Sequence, residues 1–368
     1  MIKGAAKFGV RRLGVALLVL FCGATLYDLK LPASPANVSA SYQDGSPAER
    51  TAKATPELPH SKDDNAAKSV RAQELLKSAR VAAGIETASG GIQTLSFKAK
   101  SQRFSKYVSV QSPTKVVEKE KTLSGKIEAD CWLPDKFRLK TKGSTLTGFG
   151  FSYANFLNGD QAWRNPPMSV RSFGRDSRVI DVGDVERTLL MQERTAKQQI
   201  TFYALGWLMQ APPSLQLKLS YAGVYELNGQ TADVVVADGQ DGFRILLFFD
   251  RKTHLLAALG TGFFDSYRET VIVEAASFDP RFNRAMFMRA REERRLRTQP
   301  PKQHEVIWQF SDYRAVGGVT LPHRVAIKFD DQVVEELTIN EFKVNQPANP
   351  KNFDGKPEVV YARPGGRN

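Results

Sequence analysis

Histidines His60, His254, His304 and His323 are the side chains best suited to acid–base or metal chemistry, and they stand far apart in the chain. None has a second His or Cys at the short spacing that a zinc site uses. A serine nucleophile has no local signature, because the chain carries no Gly-x-Ser-x-Gly elbow. Gly148-Phe149-Gly150 lacks the third glycine and the Lys-Ser/Thr of a phosphate-cradling loop, and reads as a flexible or bulged strand. The acid pairs Asp330-Asp331 and Glu335-Glu336 fall in or beside a hairpin, where carboxylates are solvated; a glycosidase needs two facing one cleft. The expectation is therefore no enzyme: no catalytic residue, no metal and no cofactor.

Cysteine use agrees. Cys22 lies in an apolar N-terminal run, which leaves Cys131 alone in the body of the chain as a buried, inert thiol. Of 368 residues, 42% are hydrophobic, enough for a sizeable core, and the net charge of +13 favours anionic surfaces as partners.

The N-terminus assigns the compartment. Lys3, Lys7, Arg11 and Arg12 precede the apolar run Leu13 to Leu26, which is the length of a signal core and short for a membrane span. Phe21 before Cys22 rules out a lipobox. Residues 1–30 are expected to be a signal peptide, cut near Ala36 or Ala40, or else an uncleaved inner-membrane anchor; both place the body in the periplasm. An exported protein rarely meets nucleic acid, so none is expected as a partner. Residues 31–62, rich in Pro, Ala, Ser and charge, read as a disordered linker, and 356–368 as a disordered tail.

Two helices are expected to flank a sheet. Ala67, Val70, Leu75, Leu76 and Ala79 recur at helical spacing until Gly84. A second helix runs from Asp184 to about Gln210, and its half from Ile200 to Met209 is apolar on most faces, the mark of a buried helix. Most other segments alternate apolar and polar residues between turns such as Asn228-Gly229, Asp238-Gly239 and Asp330-Asp331, which predicts about ten antiparallel strands in a single domain over 63–355. Gly317-Gly318 is expected to make a tight turn, Pro322 to start a strand, and Tyr313 and Arg314 to lie at an edge.

An insert at 277–302 interrupts this meander. It carries Arg281, Arg284, Arg289, Arg291, Arg294 and Arg295 among few acids, with Phe282, Met286, Phe287 and Met288 interleaved. It reads either as a solvated loop or as a basic amphipathic helix whose arginines meet an anionic membrane.

An ordered set of motifs resembles a known family. Pro134-Asp-Lys-Phe-Arg138 is followed by Asn158-Gly-Asp-Gln-Ala-Trp163, then Phe249-Asp250 with His254-Leu-Leu256, then Phe310-Ser-Asp-Tyr-Arg-Ala-Val-Gly-Gly-Val-Thr-Leu-Pro-His323, Asn345 and Phe353. In order and spacing they resemble the outer-membrane lipoprotein-sorting family, periplasmic carriers with a LolA/LolB-like fold, over about residues 70–355. The resemblance implies an α+β fold: a curved, incompletely closed antiparallel half-barrel with helices covering its concave face, around a cavity for the acyl chains of a lipid or lipoprotein. It departs at Leu133, where that carrier's lid-latching arginine would precede the proline.

In such a fold, core and ligand wall are one surface. The residues expected to line an apolar cavity are Phe97, Trp132, Phe137, Trp163, Phe202, Leu205, Trp207 and Phe248. The expected function is a periplasmic carrier for acyl chains that works by non-covalent transfer. The alternative is a membrane-tethered envelope sensor or assembly module that binds a protein partner with the same half-barrel.

Overall fold

The computed structural model describes residues 62–86, 91–166, 182–227, 229–268, 270–274 and 279–355. The leader at 1–30, all but the last residue of the linker and the tail at 356–368 lie outside them. Three helices and thirteen strands follow in the order α1 (Lys62–Ala82), β1 (Thr94–Ser112), β2 (Lys115–Trp132), β3 (Lys136–Ser144), β4 (Gly150–Asn158), β5 (Gln161–Asn165) and α2 (Val182–Leu208). Next come β6 (Lys218–Leu227), β7 (Gln230–Asp238), β8 (Arg244–Asp250), β9 (Leu256–Arg268), β10 (Thr270–Val273) and α3 (Pro280–Leu296). The chain closes with β11 (Thr298–Val316), β12 (Val319–Phe329) and β13 (Gln332–Val344).

One sheet holds every strand, in the order β5-β4-β3-β2-β1-β13-β12-β11-β9-β8-β7-β6. Neighbours along that path are antiparallel; β10 alone pairs in parallel, against Tyr107 to Val110 of β1. The path does not return on itself among the described residues, so the sheet is open, with β5 and β6 at the two ends of the strand order. β5 is five residues long. β6 carries a bulge between Tyr221 and Gly223, where Gly223 takes φ 117°, a conformation that only glycine adopts freely.

The sheet is also bent. β1 and β11 stand three places apart in the order, about 14 Å on a flat sheet at the usual strand spacing. Yet the Trp207 ring of α2 lies 4.9 Å from Phe97 of β1 and 5.6 Å from Phe310 of β11, centre to centre. A surface concave toward the helix brings both rings to one indole. The fold is thus α+β, an incompletely closed antiparallel half-barrel with helices on its concave face.

α1 and α2 share that face. Ala72, Leu75, Leu76 and Ala79 of α1 and Ile200, Ala204, Leu205 and Leu208 of α2 belong to one apolar cluster with residues from almost every strand. α1 ends at Gly84, whose φ of 70° caps the helix; a Cβ there would come within 2.6 Å of the Gly318 carbonyl. The Thr320 N–H donates to the Ala83 carbonyl, so the helix end is tied to the β11–β12 turn.

Several expectations need correction. Pro322 lies inside β12, opposite Tyr313, rather than at a strand start. Tyr313 is no edge residue: its hydroxyl donates to the Leu256 carbonyl inside the sheet, and burial pushes its pKa up. Gly148 sits in the β3–β4 turn at φ 84°, not in a bulged strand. Pro280–Leu296 of the insert form a helix, as one of its two readings had it, while β10 lies ahead of the insert and the insert's last residues, from Thr298, begin β11.

Candidate functional site

The concave face is built around α2. Its last two turns carry Phe202, Tyr203, Leu205 and Trp207 into an array of rings. Trp207 stacks on Phe97 and on Tyr203, the latter at 5.2 Å with the planes 9° apart. Phe202 stacks on Trp308 at 5.3 Å, and Phe310 meets Trp207 edge-on at 5.6 Å. Gly206 allows the close approach: a Cβ there would lie 2.8 Å from the Phe310 ring. Ile200, Leu205, Trp207 and Leu208 are each about 1% exposed, so the space between helix and sheet is filled by the helix itself.

Toward the β4–β5 edge the same helix turns polar. Asn155 of β4 donates to the side chain of Gln199, and Gln192 and Thr201 are buried nearby on α2. Arg164 of β5 lies over the Tyr153 ring at 3.7 Å. One end of the trough is therefore apolar and the other presents amides and a guanidinium.

Five of the eight residues expected to line a cavity meet here. Phe97, Phe137, Leu205 and Trp207 are core members, and Phe202 packs against them half-buried. The other three are corrections, and strand parity is the reason. Phe248 follows Leu247 and precedes Phe249, both on the concave face, so its own side chain points to the convex face among Ala232, Val234 and Ala258. Trp163 stacks on Phe156 at 5.2 Å on that convex side, next to Ala162, which faces inward. Trp132 follows the inward Cys131; its ring meets Phe353 at 6.4 Å and Lys136 at 4.8 Å, beside a rim cavity of about 540 Å³ lined with Thr94 and Asn345. Sequence reasoning also missed Trp308, Phe310 and Phe342 as trough residues, although Trp308-Gln-Phe310 has the period-two spacing of one strand face.

The six arginines of the insert divide in the same way. Arg281, Arg284 and Arg291 are exposed on α3 without an acidic partner among the described residues. Arg295 pairs with Glu292 at 2.7 Å. Arg289 and Arg294 are corrections: Arg289 pairs with the buried Glu293 at 2.6 Å, and Arg294 donates to the Val271 carbonyl at 3.2 Å. Both are held by the protein's own groups.

Chemistry-bearing groups elsewhere make contacts within the protein. His304 lies 2.8 Å from Asp330 at the β12–β13 hairpin and stacks on Phe329. Burial pushes the Cys131 thiol up, which suppresses its thiolate. Arg138 of the first motif pairs with Asp130 across β2 and β3. Among the described residues, no three His, Cys, Asp or Glu side chains gather as a metal site. No helix among them is long and apolar enough to cross a membrane.

No protein-family model matches the chain, and no curated protein matches it in sequence. Among solved structures, the chain is similar to one described as an outer membrane lipoprotein-sorting protein domain from Vibrio parahaemolyticus, at 9% identity and a TM-score of 0.39, over 78% of this chain and 97% of that one. It is similar to a LolA superfamily protein from Nitrosomonas europaea at 10% identity and a TM-score of 0.37, over 77% and 97%. The MucA/MucB complex of Pseudomonas aeruginosa is a more distant likeness, at 10% identity and a TM-score of 0.15, over 73% and 92%.

Proposed function

We propose that the chain is an exported carrier that takes up acyl chains of lipid or lipoprotein between α2 and the concave sheet, and passes them on with no chemical step. The observation that carries this reading is the apolar face of α2 lying in a trough of the sheet, where a guest of similar polarity can replace it. Four large side chains, Ile200, Leu205, Trp207 and Leu208, are fully buried there. At about 2 kcal/mol each they represent about 8 kcal/mol. An acyl chain gains about 0.8 kcal/mol per buried methylene, so about ten methylenes match the helix and longer chains displace it.

Uptake of fluorescent acyl probes of graded length by the full chain tests the reading. Affinity is expected to rise steeply beyond about ten carbons, with quenching or shift of tryptophan emission from Trp207. Protein isolated from a periplasm should also carry acyl species in native mass spectrometry. A clean mass and no uptake at any length would overturn the proposal.

The filled trough favours one other reading, a membrane-tethered sensor or assembly module that binds a protein partner. In that case the interior stays shut, residues 13–26 remain uncut, and acyl probes leave the tryptophan emission unchanged.

A further inference from the structure

The insert between β9 and β11 has a core of its own. Met286 and Ala290 of α3 are fully buried against Val108 and Val110 of β1 and Val271 of β10. Asp279 caps the helix by accepting from the Arg281 N–H at 2.8 Å, and Pro280 opens its first turn. One face of α3 is therefore anchored, and the opposite face is exposed among the described residues.

That opposite face follows a three–four spacing: Arg281, Arg284, Met288, Arg291 and Arg295 form one exposed stripe, with Phe287 beside it. Three of the ten large apolar side chains exposed among the described residues, Phe287, Met288 and Leu296, are on this one helix. Arginines without acidic partners beside exposed Phe and Met suit a surface that is anionic outside and apolar just beneath. A protein groove would cover the apolar pair, but it would not call for cations above and below it. Duplex nucleic acid would take the cations and leave Phe287 and Met288 in water.

We infer that the outer face of α3 is a docking surface for anionic phospholipid bilayers: Arg281, Arg284 and Arg291 lie on the phosphates, and Phe287 and Met288 enter the headgroup layer. The inference is independent of acyl-chain uptake, because α3 rests on a different core from α2.

Hydrogen exchange of the full chain, with vesicles of phosphatidylcholine alone or mixed with phosphatidylglycerol, tests it. Exchange over 281–296 is expected to slow only with the mixed vesicles, and the effect should weaken as salt rises. The triple variant Arg281→Ala, Arg284→Ala, Arg291→Ala, all at exposed positions, should bind the mixed vesicles roughly 100-fold more weakly. The pair Phe287→Ser, Met288→Ser should lose roughly 10-fold while its binding stays salt-sensitive. Two results would overturn the inference: undiminished vesicle binding by the triple variant, which would locate binding elsewhere in the chain, or protection of 281–296 by duplex DNA but not by vesicles.

Discussion

Two substitutions at Trp207 separate what its ring contributes from what its N–H costs. The indole is about 1% exposed and touches Phe97, Tyr203 and Phe310, while its Nε1 has no hydrogen-bond acceptor among the described residues. Trp207→Ala removes the whole ring and leaves a cavity, a loss of about 3–5 kcal/mol. Trp207→Phe keeps a ring face for Phe97 and Tyr203 and gives up about 1–2 kcal/mol of apolar burial. It also removes a buried donor without a partner, which recovers about 1–3 kcal/mol. The two effects offset, so Trp207→Phe is expected within about 1 kcal/mol of the native protein. Equilibrium unfolding in urea, followed by far-ultraviolet circular dichroism because a fluorophore is lost, measures both. A Trp207→Phe variant as unstable as Trp207→Ala would refute the argument and mean that the indole N–H is satisfied in solution.

Three further outcomes are expected. Glu335 lies 3.5 Å from Arg103 across β1 and β13 with both side chains nearly buried, so Glu335→Ala should cost about 3–5 kcal/mol, whereas replacing both by Leu should cost much less; chemical denaturation distinguishes them. Asp250 is held below its ordinary value of 3.8, foremost by the Thr253 N–H that its carboxylate accepts. Because the folded value is the lower one, its contribution is complete above the ordinary value and is lost as pH falls through the folded one; the Tm gap between native and Asp250→Ala protein should be full at neutral pH and close in strong acid. Met286→Lys should release α3 alone: hydrogen exchange over 281–296 should accelerate while α2 keeps its protection, since the two helices rest on separate clusters.

Much of this architecture was legible in the chain because local chemistry and global fold agree. Asp330 and Asp331 both take positive φ in the β12–β13 turn, as an Asx-rich hairpin requires, and the all-apolar second half of α2 lies where such a helix must, under the sheet. Assignment to faces was less legible, and the reason is specific. Ile245 to Phe249 is an unbroken apolar run because β8 is covered on both faces, so nothing in the run tells Phe248 from Phe249. β9 carries Gly260 and Gly262, which weaken a strand pattern; a Cβ at Gly260 would lie 3.1 Å from Ile307 and 3.3 Å from Phe248. The site followed the same division. Leu205 and Trp207 could be chosen from helix character alone, whereas Trp132 and Trp163 depended on a parity that one residue reverses.

Among the described residues, the two end strands of this open sheet, β5 and β6, each leave an outer row of backbone donors and acceptors without a strand partner, an invitation to a second copy. Both rows are blunted. β5 offers only five residues before Pro166, which has no N–H to give, and the Gly223 bulge breaks the outer row of β6 midway along its length. A copy of the same chain finds too short a template on one side and a kinked one on the other. Neither end of the strand order therefore offers a long flat template on which copies could grow, strand upon strand, into a filament.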